Sequence, residues 1–197
     1  MTDPPPAEEA QFRVSIDALG DISDTDGAAI ARAAAVIGVE AALDATADEA
    51  GLTPPIGLNV VDQHKTELES RLEIRTIERG SLIVLIGIDQ ATVLWIVQQL
   101  WPGLADTGLL GIGAIVIHYL RHFHRPAGQP LPPPELPEQL SQRIVRVSLE
   151  YEDGTRLTWD RHSLHRQRTK RPPLALRHTV TKSTTKRGRK GRRGRKQ

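Results

Sequence analysis

The sequence predicts an α+β fold in which helices pack on a mostly antiparallel sheet, followed by a disordered basic C-terminal tail. Three observations support this prediction. Polar and apolar residues alternate over 11–17, apolar residues recur at helical spacing over 26–49, and two later segments, 67–88 and 143–159, have the pattern of β-hairpins. The predicted element order is β-α-β-β-α-α, a linker, β-β and the tail.

The first two elements are a half-buried strand and a long helix. In "QFRVSID" (11–17), Phe12, Val14 and Ile16 lie on one side of the predicted strand. The helix over 26–49 follows, with apolar residues at spacings of three and four.

The boundaries of this helix are predicted from its flanking residues. Ser23, Thr25 or Asp26 is suited to the N-cap position, where a side-chain oxygen accepts a backbone N–H. Gly51 is a natural stop, with Pro54 and Pro55 beyond it.

The segment 67–88 predicts a hairpin that turns at Arg79–Gly80. A two-residue loop would place Ile74 opposite Leu85, and Thr76 opposite Ile83. The second strand is apolar on both sides, which indicates a position inside the sheet.

Two helices, 89–101 and 107–123, and a proline-rich linker follow. The segment 143–159 predicts a second hairpin with a type I′ turn at Asp153–Gly154, in which both central residues have positive φ. The predicted organisation is a disordered lead (1–10), an α+β domain (11–124), the linker (125–142), a hairpin packing on the domain (143–160) and a disordered tail (161–197).

The charge is divided unevenly along the chain. Residues 161–197 contain 15 of the 26 Lys and Arg residues and no acidic residue, whereas 1–160 contain all 24 acidic residues. The head therefore has a formal charge of about −13 and the tail about +15. This asymmetry predicts a polyanionic partner for the tail. The absence of cysteine excludes disulfides, thiol catalysis and zinc sites built on thiolates.

The candidate binding site is the end of the tail, "KRGRKGRRGRKQ". Its two Arg-Gly-Arg units resemble the core of an AT-hook, with Lys190 and Lys196 where that motif has flanking proline. The resemblance implies arginines entering a narrow minor groove. Anionic lipid and the acidic head of the same chain are the alternative partners. The predicted nucleic-acid-binding residues are Lys186, Arg187, Arg189, Lys190, Arg192, Arg193, Arg195 and Lys196.

The apolar segment 82–120 allows two interpretations. It forms buried core, or it inserts into a bilayer in a small membrane-associated protein. Asp89 and Gln90 interrupt this segment, and its first residues fit the second strand of the predicted hairpin. Both features favour the interpretation as buried core. We accordingly expect a cytoplasmic protein, with membrane association as the alternative.

Neither of two clusters of potential metal ligands meets a known pattern. His118 and His122 share a helix face near His124, but Tyr119, Leu120 and Arg121 stand between the first two, unlike an HExxH motif. The carboxylates of Asp17, Asp21, Asp24 and Asp26 do not have the spacing of an EF-hand loop, and they suit a helix N-terminus. We therefore predict no metal, no cofactor and no enzymatic activity.

The later part of the chain resembles the small effector-associated accessory proteins of bacterial conflict systems. The shared features are Arg79-Gly80-Ser81 before an apolar strand, and a hairpin of the type "VRVSLEYEDGTRLTW" after a polar linker. The resemblance implies a compact non-catalytic domain that links other proteins. The predicted function is thus an adaptor module whose basic tail binds nucleic acid or another polyanion.

Overall fold

The computed structural model describes residues 9–52, 59–78, 82–124 and 131–166. The first strand begins at Glu9, inside the lead predicted for 1–10, and residues 1–8 lie outside the described ranges. In chain order the elements are β1 (Glu9–Ala18), α1 (Asp24–Ala50), α2 (Asn59–Arg71), β2 (Glu73–Glu78), β3 (Leu82–Asp89), α3 (Gln90–Leu100), α4 (Asp106–Arg121), α5 (Glu138–Arg143), β4 (Ile144–Glu150), β5 (Arg156–Asp160) and α6 (Arg161–Arg166).

The five strands form one sheet in the order β2-β3-β1-β4-β5, and every neighbouring pair is antiparallel. Along β1, Phe12, Val14 and Ile16 are buried, and the residues between them lie on the other face. Helices α1 and α4 lie against β1, and α3 contacts β3. Their apolar side chains form one core with those of the strands, so the predicted fold class is confirmed.

Both ends of α1 follow the prediction. The Ser23 side chain accepts a hydrogen bond from the Asp26 N–H at 3.1 Å, which satisfies one of the unpaired donors of the first turn. The helix ends at Gly51, whose φ of 60° is a left-handed conformation that glycine adopts at low cost.

The middle of α1 approaches the sheet closely at Gly38. A β-carbon at this position would lie 2.8 Å from Phe12 Cζ and 2.9 Å from Leu149 Cδ2. Phe12 is itself held in place by the ring of Tyr151, with the two centroids 5.1 Å apart in an edge-on arrangement. The absence of a side chain at Gly38 therefore sets the distance between the helix and the sheet.

The predicted register of the first hairpin is wrong. Ile74 pairs with Ile86 instead of Leu85, and the register shifts between Ile74 and Thr76. The prediction assumed a two-residue turn and a ladder without a bulge, and the turn itself lies outside the described residues. Strand β3 lies inside the sheet as predicted, and its fully buried apolar residues are Val84, Ile86 and Ile88.

Helix α2 was not predicted from the sequence. Leu68, and Leu72 just after the helix, are buried four residues apart, so the helix contributes a narrow apolar stripe. Arg71 pairs with Glu67 at 2.9 Å and also lies over the ring of Trp95 in α3, 4.3 Å from its centroid.

The apolar segment 82–120 is divided among β3, α3 and α4. Asp89 ends the strand and caps α3, because its carboxylate accepts the Thr92 N–H at 2.8 Å. Val93, Ile96 and Val116 belong to the common core. Within the described ranges, no helix combines the length and apolarity needed to cross a membrane.

The predicted linker is partly built into the fold. Leu131 and Leu136 pack against the core, and Glu135 pairs with Lys65 of α2 at 2.8 Å. Helix α5 begins at Glu138, within the range predicted as linker. Strand β4 then pairs directly with β1, so the second hairpin extends the same sheet.

The turn of this hairpin is not type I′. Only Gly154 has a positive φ, of 82°, and Tyr151 pairs with Thr155 through a hydrogen bond of 2.9 Å, which leaves a three-residue loop. The Asp153 carboxylate accepts the N–H of Thr155 at 2.8 Å and that of Phe123 at 3.1 Å. Asp153 therefore does not have the left-handed conformation of a type I′ turn. Its carboxylate instead links the hairpin to the end of α4.

A short helix, α6, occupies the position where the tail was predicted to begin. The Asp160 carboxylate accepts the Ser163 N–H at 2.8 Å, and Leu164 is only 7% exposed and packs in the core. The prediction ended the fold at residue 160 because it did not recognise Asp160 as a helix cap. Residues 167–197 lie outside the described part of the chain.

Candidate functional site

Three strands carry the same five-residue pattern on the face of the sheet away from the core. The sequences are "RVSID" in β1, "RVSLE" in β4 and "RLTWD" in β5. Each has arginine, then a small hydroxyl residue, then a carboxylate, separated by apolar residues. Because strand residues alternate between faces, the three polar side chains of each strand share one face.

The strand pairing arranges these side chains in three rows. Strand β4 runs antiparallel to both β1 and β5, so each arginine lies beside a carboxylate of the neighbouring strand. A row of hydroxyls separates two rows of charges. We call these nine residues the polar trench: its first row is Arg13, Glu150 and Arg156, its middle row Ser15, Ser148 and Thr158, and its last row Asp17, Arg146 and Asp160.

The short middle row forms the floor of a shallow concavity. Ser148 is 6% exposed, and its hydroxyl lies 3.2 Å from that of Thr158. Helix α6 closes one end with His162 and Ser163, so the concavity of about 910 Å³ lies across β4 and β5. The first residues after β5 thus form a wall of the site.

The charges in the trench are balanced and largely paired. Arg156 pairs with Glu150, and Arg146 lies 3.8 Å from Asp17. Hydrogen bonds from the backbone N–H and hydroxyl of Ser163 lower the pKa of Asp160, which keeps this carboxylate charged at neutral pH. With three arginines and three carboxylates, the trench has no net charge.

Ser148, Asp160 and His162 all line the concavity, which raises the question of a hydrolytic triad. Such a triad needs an imidazole hydrogen-bonded to both the hydroxyl and the carboxylate. No such contact of the His162 ring occurs among the hydrogen bonds of the described residues. The Asp160 carboxylate instead accepts from Ser163, so these atoms serve to cap α6.

The eight predicted nucleic-acid-binding residues, 186–196, lie outside the described ranges. The described chain therefore stops at the end of α6, whose first residues line the trench. The positions of the eight basic residues are not described.

The histidine cluster stands at the exposed end of α4. The rings of His118 and His122 stack with centroids 4.8 Å apart, and Nδ1 of His122 lies 3.2 Å from the His118 carbonyl oxygen. His124 packs beside Tyr119, whose hydroxyl donates to Glu49 at 2.5 Å. In the described part of the chain, no group of three or more metal-ligating side chains is placed to hold an ion.

The aspartates near α1 also have local roles. The Asp26 carboxylate accepts the Ser23 hydroxyl at 2.8 Å, and the Asp21 backbone carbonyl accepts from the Arg143 guanidinium. Asp17 belongs to the trench. This cluster thus divides between a helix start and the sheet.

The trench was not recognised in the sequence, although its signal is present there as the repeated arginine–hydroxyl–carboxylate pattern. Recognising it requires the knowledge that β1 and β4, which are far apart in sequence, are neighbours in the sheet. No protein family matches this chain, and neither a curated protein nor a solved structure is significantly similar to it.

Proposed function

We propose that the protein is a non-catalytic adaptor of the cytoplasm whose basic tail binds a polyanion, with nucleic acid as the partner. The observation that carries this proposal is the division of charge, with all 24 acidic residues before residue 161 and 15 basic residues after Asp160. A stretch with this charge binds phosphates by releasing counterions, without a folded recognition surface.

The folded part supports this assignment because many of its described cations pair with its own acids. Arg75 pairs with Glu9 and Glu73, each at 2.9 Å, and Arg121 lies 3.6 Å from Glu152. The trench is neutral. The described surface thus offers a polyanion little net attraction, and the proposed contact rests on the tail.

The length of the tail favours a tethered contact. Lys186 is 20 residues beyond the end of α6, so the basic end can lie up to roughly 70 Å from that helix. An adaptor of this design attaches its folded head to a nucleic acid and leaves the head available to protein partners. The resemblance to accessory proteins of conflict systems is in line with this role.

The test is a titration of a labelled DNA duplex with the full chain at several salt concentrations. If all eight basic residues of 186–196 contacted phosphates, the slope of log K against log[salt] would be about −7, and partial engagement predicts about −3 to −6. Replacing the eight residues with glutamine should weaken binding strongly, although seven of the 15 basic residues after Asp160 remain. A control that removes positive charge elsewhere, Lys65→Gln with Arg71→Gln in α2, should bind as the wild type does.

A second variant tests how the arginines act. Changing Arg187, Arg189, Arg193 and Arg195 to lysine keeps the charge and removes the planar guanidiniums. Entry into a narrow minor groove predicts a loss of preference for A·T-rich duplex with most of the general affinity retained. Binding that is undetectable at low salt, or unchanged in the glutamine variant, contradicts the proposal. Stronger binding to phosphatidylserine vesicles than to duplex assigns the tail to a membrane surface.

A further inference from the structure

The two charged rows of the polar trench have opposite signs on every strand. Arg13 stands against Asp17 along β1, Arg146 against Glu150 along β4, and Arg156 against Asp160 along β5. The two charges on one strand are four residues apart, or roughly 13 Å, so they do not pair with each other. Ion pairing between neighbouring strands explains why arginine and carboxylate alternate along each row. It does not require the two charged rows to have opposite signs on the same strand.

We propose that the polar trench is a docking surface for a second copy of this chain, in a two-fold symmetric contact between two sheets. The axis lies between the copies and parallel to the hydroxyl row. Rotation about it keeps each strand opposite its own copy and exchanges the two charged rows. Arg13 then faces Asp17 of the second copy, Glu150 faces Arg146, and Arg156 faces Asp160, each twice by symmetry.

The charge balance selects this occupant over others. Three arginines and three carboxylates give no net attraction for a polyanion or for a basic segment such as the tail. An identical face in the reverse direction is complementary at all three strands. A charge arrangement of this kind also excludes partners that approach in the wrong register, because like charges then meet.

The geometry suits the spacing of stacked sheets. Such sheets pack about 10 Å apart, a distance that an arginine on one side and an aspartate on the other can span together. On β1, β4 and β5 the hydroxyl row has only short side chains, so no long side chain stands at the centre of the contact. On the neighbouring strand β3, the half-buried Ile83 would meet its own copy, which adds an apolar contact.

Of the two ion pairs within the trench, Arg156–Glu150 is close and half-buried, whereas Arg146–Asp17 opposes the new contact only weakly. Arg146 and Asp17 are 3.8 Å apart and more than half exposed, and pairs of this kind contribute little to stability. Arg13 makes no ion pair within the described ranges, so its contact with a second copy replaces nothing. The patch ends at β2, where Glu78 would meet its own copy.

The contact is small, and this fixes the expected strength. Three strands of five residues cover roughly 250 Å² per copy, well below the roughly 800 Å² of a standard interface. We expect a weak, reversible dimer that is held by charge. It should form at about 50 mM salt and dissociate at about 500 mM, since exposed pairs are screened.

The test is sedimentation equilibrium of the full chain over a range of concentrations, with the 260/280 nm absorbance ratio showing that nucleic acid is absent. Arg13→Asp and Asp17→Arg each bring like charges together, and each should weaken self-association by on the order of tenfold or more. An equimolar mixture of the two variants should restore it, because in the mixed dimer every position 13 again faces an opposite charge at position 17.

The mixture distinguishes a lost docking contact from misfolding. Each variant has the same sequence alone and in the mixture, so a misfolded variant would not regain association when the two are mixed. Circular dichroism should show both variants folded, since one exposed like-charge pair across strands destabilises a sheet only slightly. Asp48→Arg, on the exposed side of α1, is the control and should associate as the wild type does. A wild type that remains monomeric up to about 1 mM, or a mixture that stays monomeric while the wild type dimerises, overturns the proposal.

Discussion

Gly38→Ala should destabilise the protein, although alanine is the better helix former. In a helix interior, alanine is favoured over glycine by about 1 kcal/mol. At Gly38 the new methyl group would lie 2.8 Å from Phe12 Cζ and 2.9 Å from Leu149 Cδ2, against about 3.5–4.0 Å for a relaxed carbon contact. One layer therefore has to move by up to about 1 Å.

The neighbours of Gly38 have little freedom to move. Phe12 and Leu149 are fully buried, and the Phe12 ring is fixed against Tyr151. Overpacking of this kind costs about 1–3 kcal/mol, which exceeds the gain in helix propensity. The free energy of unfolding should fall by about 1 kcal/mol, and Tm by about 2–4 °C.

Gly111→Ala is the matched control for this experiment. Gly111 is also inside a helix, α4, but apart from its chain neighbours and the adjacent helix backbone, no described atom lies within 4 Å of the position of its β-carbon. This change should raise Tm by about 2–4 °C, because the propensity gain is unopposed. The difference between the variants, measured by urea and thermal unfolding, isolates the packing cost. Equal stabilisation by both changes would refute the close contact of α1 with the sheet.

Two further predictions concern acid stability and the end of the fold. Burial raises the pKa of Asp153, but hydrogen bonds from the N–H and side chain of Thr155 and from the Phe123 N–H, with the nearby His122, together lower it by more, so the folded-state pKa lies below the unfolded one. The stabilisation is present above about pH 4 and is lost as the pH falls through the folded-state pKa, so Asp153→Asn should flatten the decline in urea midpoint between about pH 5 and pH 3. A chain ending at residue 166 should keep a cooperative thermal transition. Leu164→Ala should lower the free energy of unfolding by about 2–5 kcal/mol, because this side chain is buried. An unchanged unfolding midpoint in the Leu164→Ala variant would show that α6 is not part of the core.

The parts of the fold that the sequence predicted are those with local signals. The ends of α1 depend on Ser23 and Gly51, which act within their own turns, and the interior position of β3 follows from a run of apolar residues on both faces. Helix α2 escaped prediction because its apolar stripe is narrow. The signal that was present is the spacing of Leu68 and Leu72, together with the Glu67–Arg71 pair.

Features that depend on distant pairing were not predicted. The register of β2 against β3 contains an irregularity after Ile74, and nothing in the local sequence marks it. The trench requires β1 and β4 to be neighbours, and it was hidden because each of its strands alone looks like an ordinary amphipathic strand. Asp153 was assigned a turn conformation because its contact with Phe123, 30 residues away, is invisible in a short window.

The position of β1 at the centre of the sheet has a consequence for synthesis. Val14 pairs with Val84 on one side and with Leu149 on the other, so its second partner is made 135 residues later. At the usual rates of translation this delay is roughly 7–27 s. During that time one edge of β1 has no strand beside it, and its backbone groups are open to pairing with other chains. Helix α1 follows at once and packs on the apolar face of β1, so it covers the strand's hydrophobic side chains while that edge is still open. Changes that weaken α1 should therefore reduce the yield of soluble protein more than their effect on Tm alone would suggest.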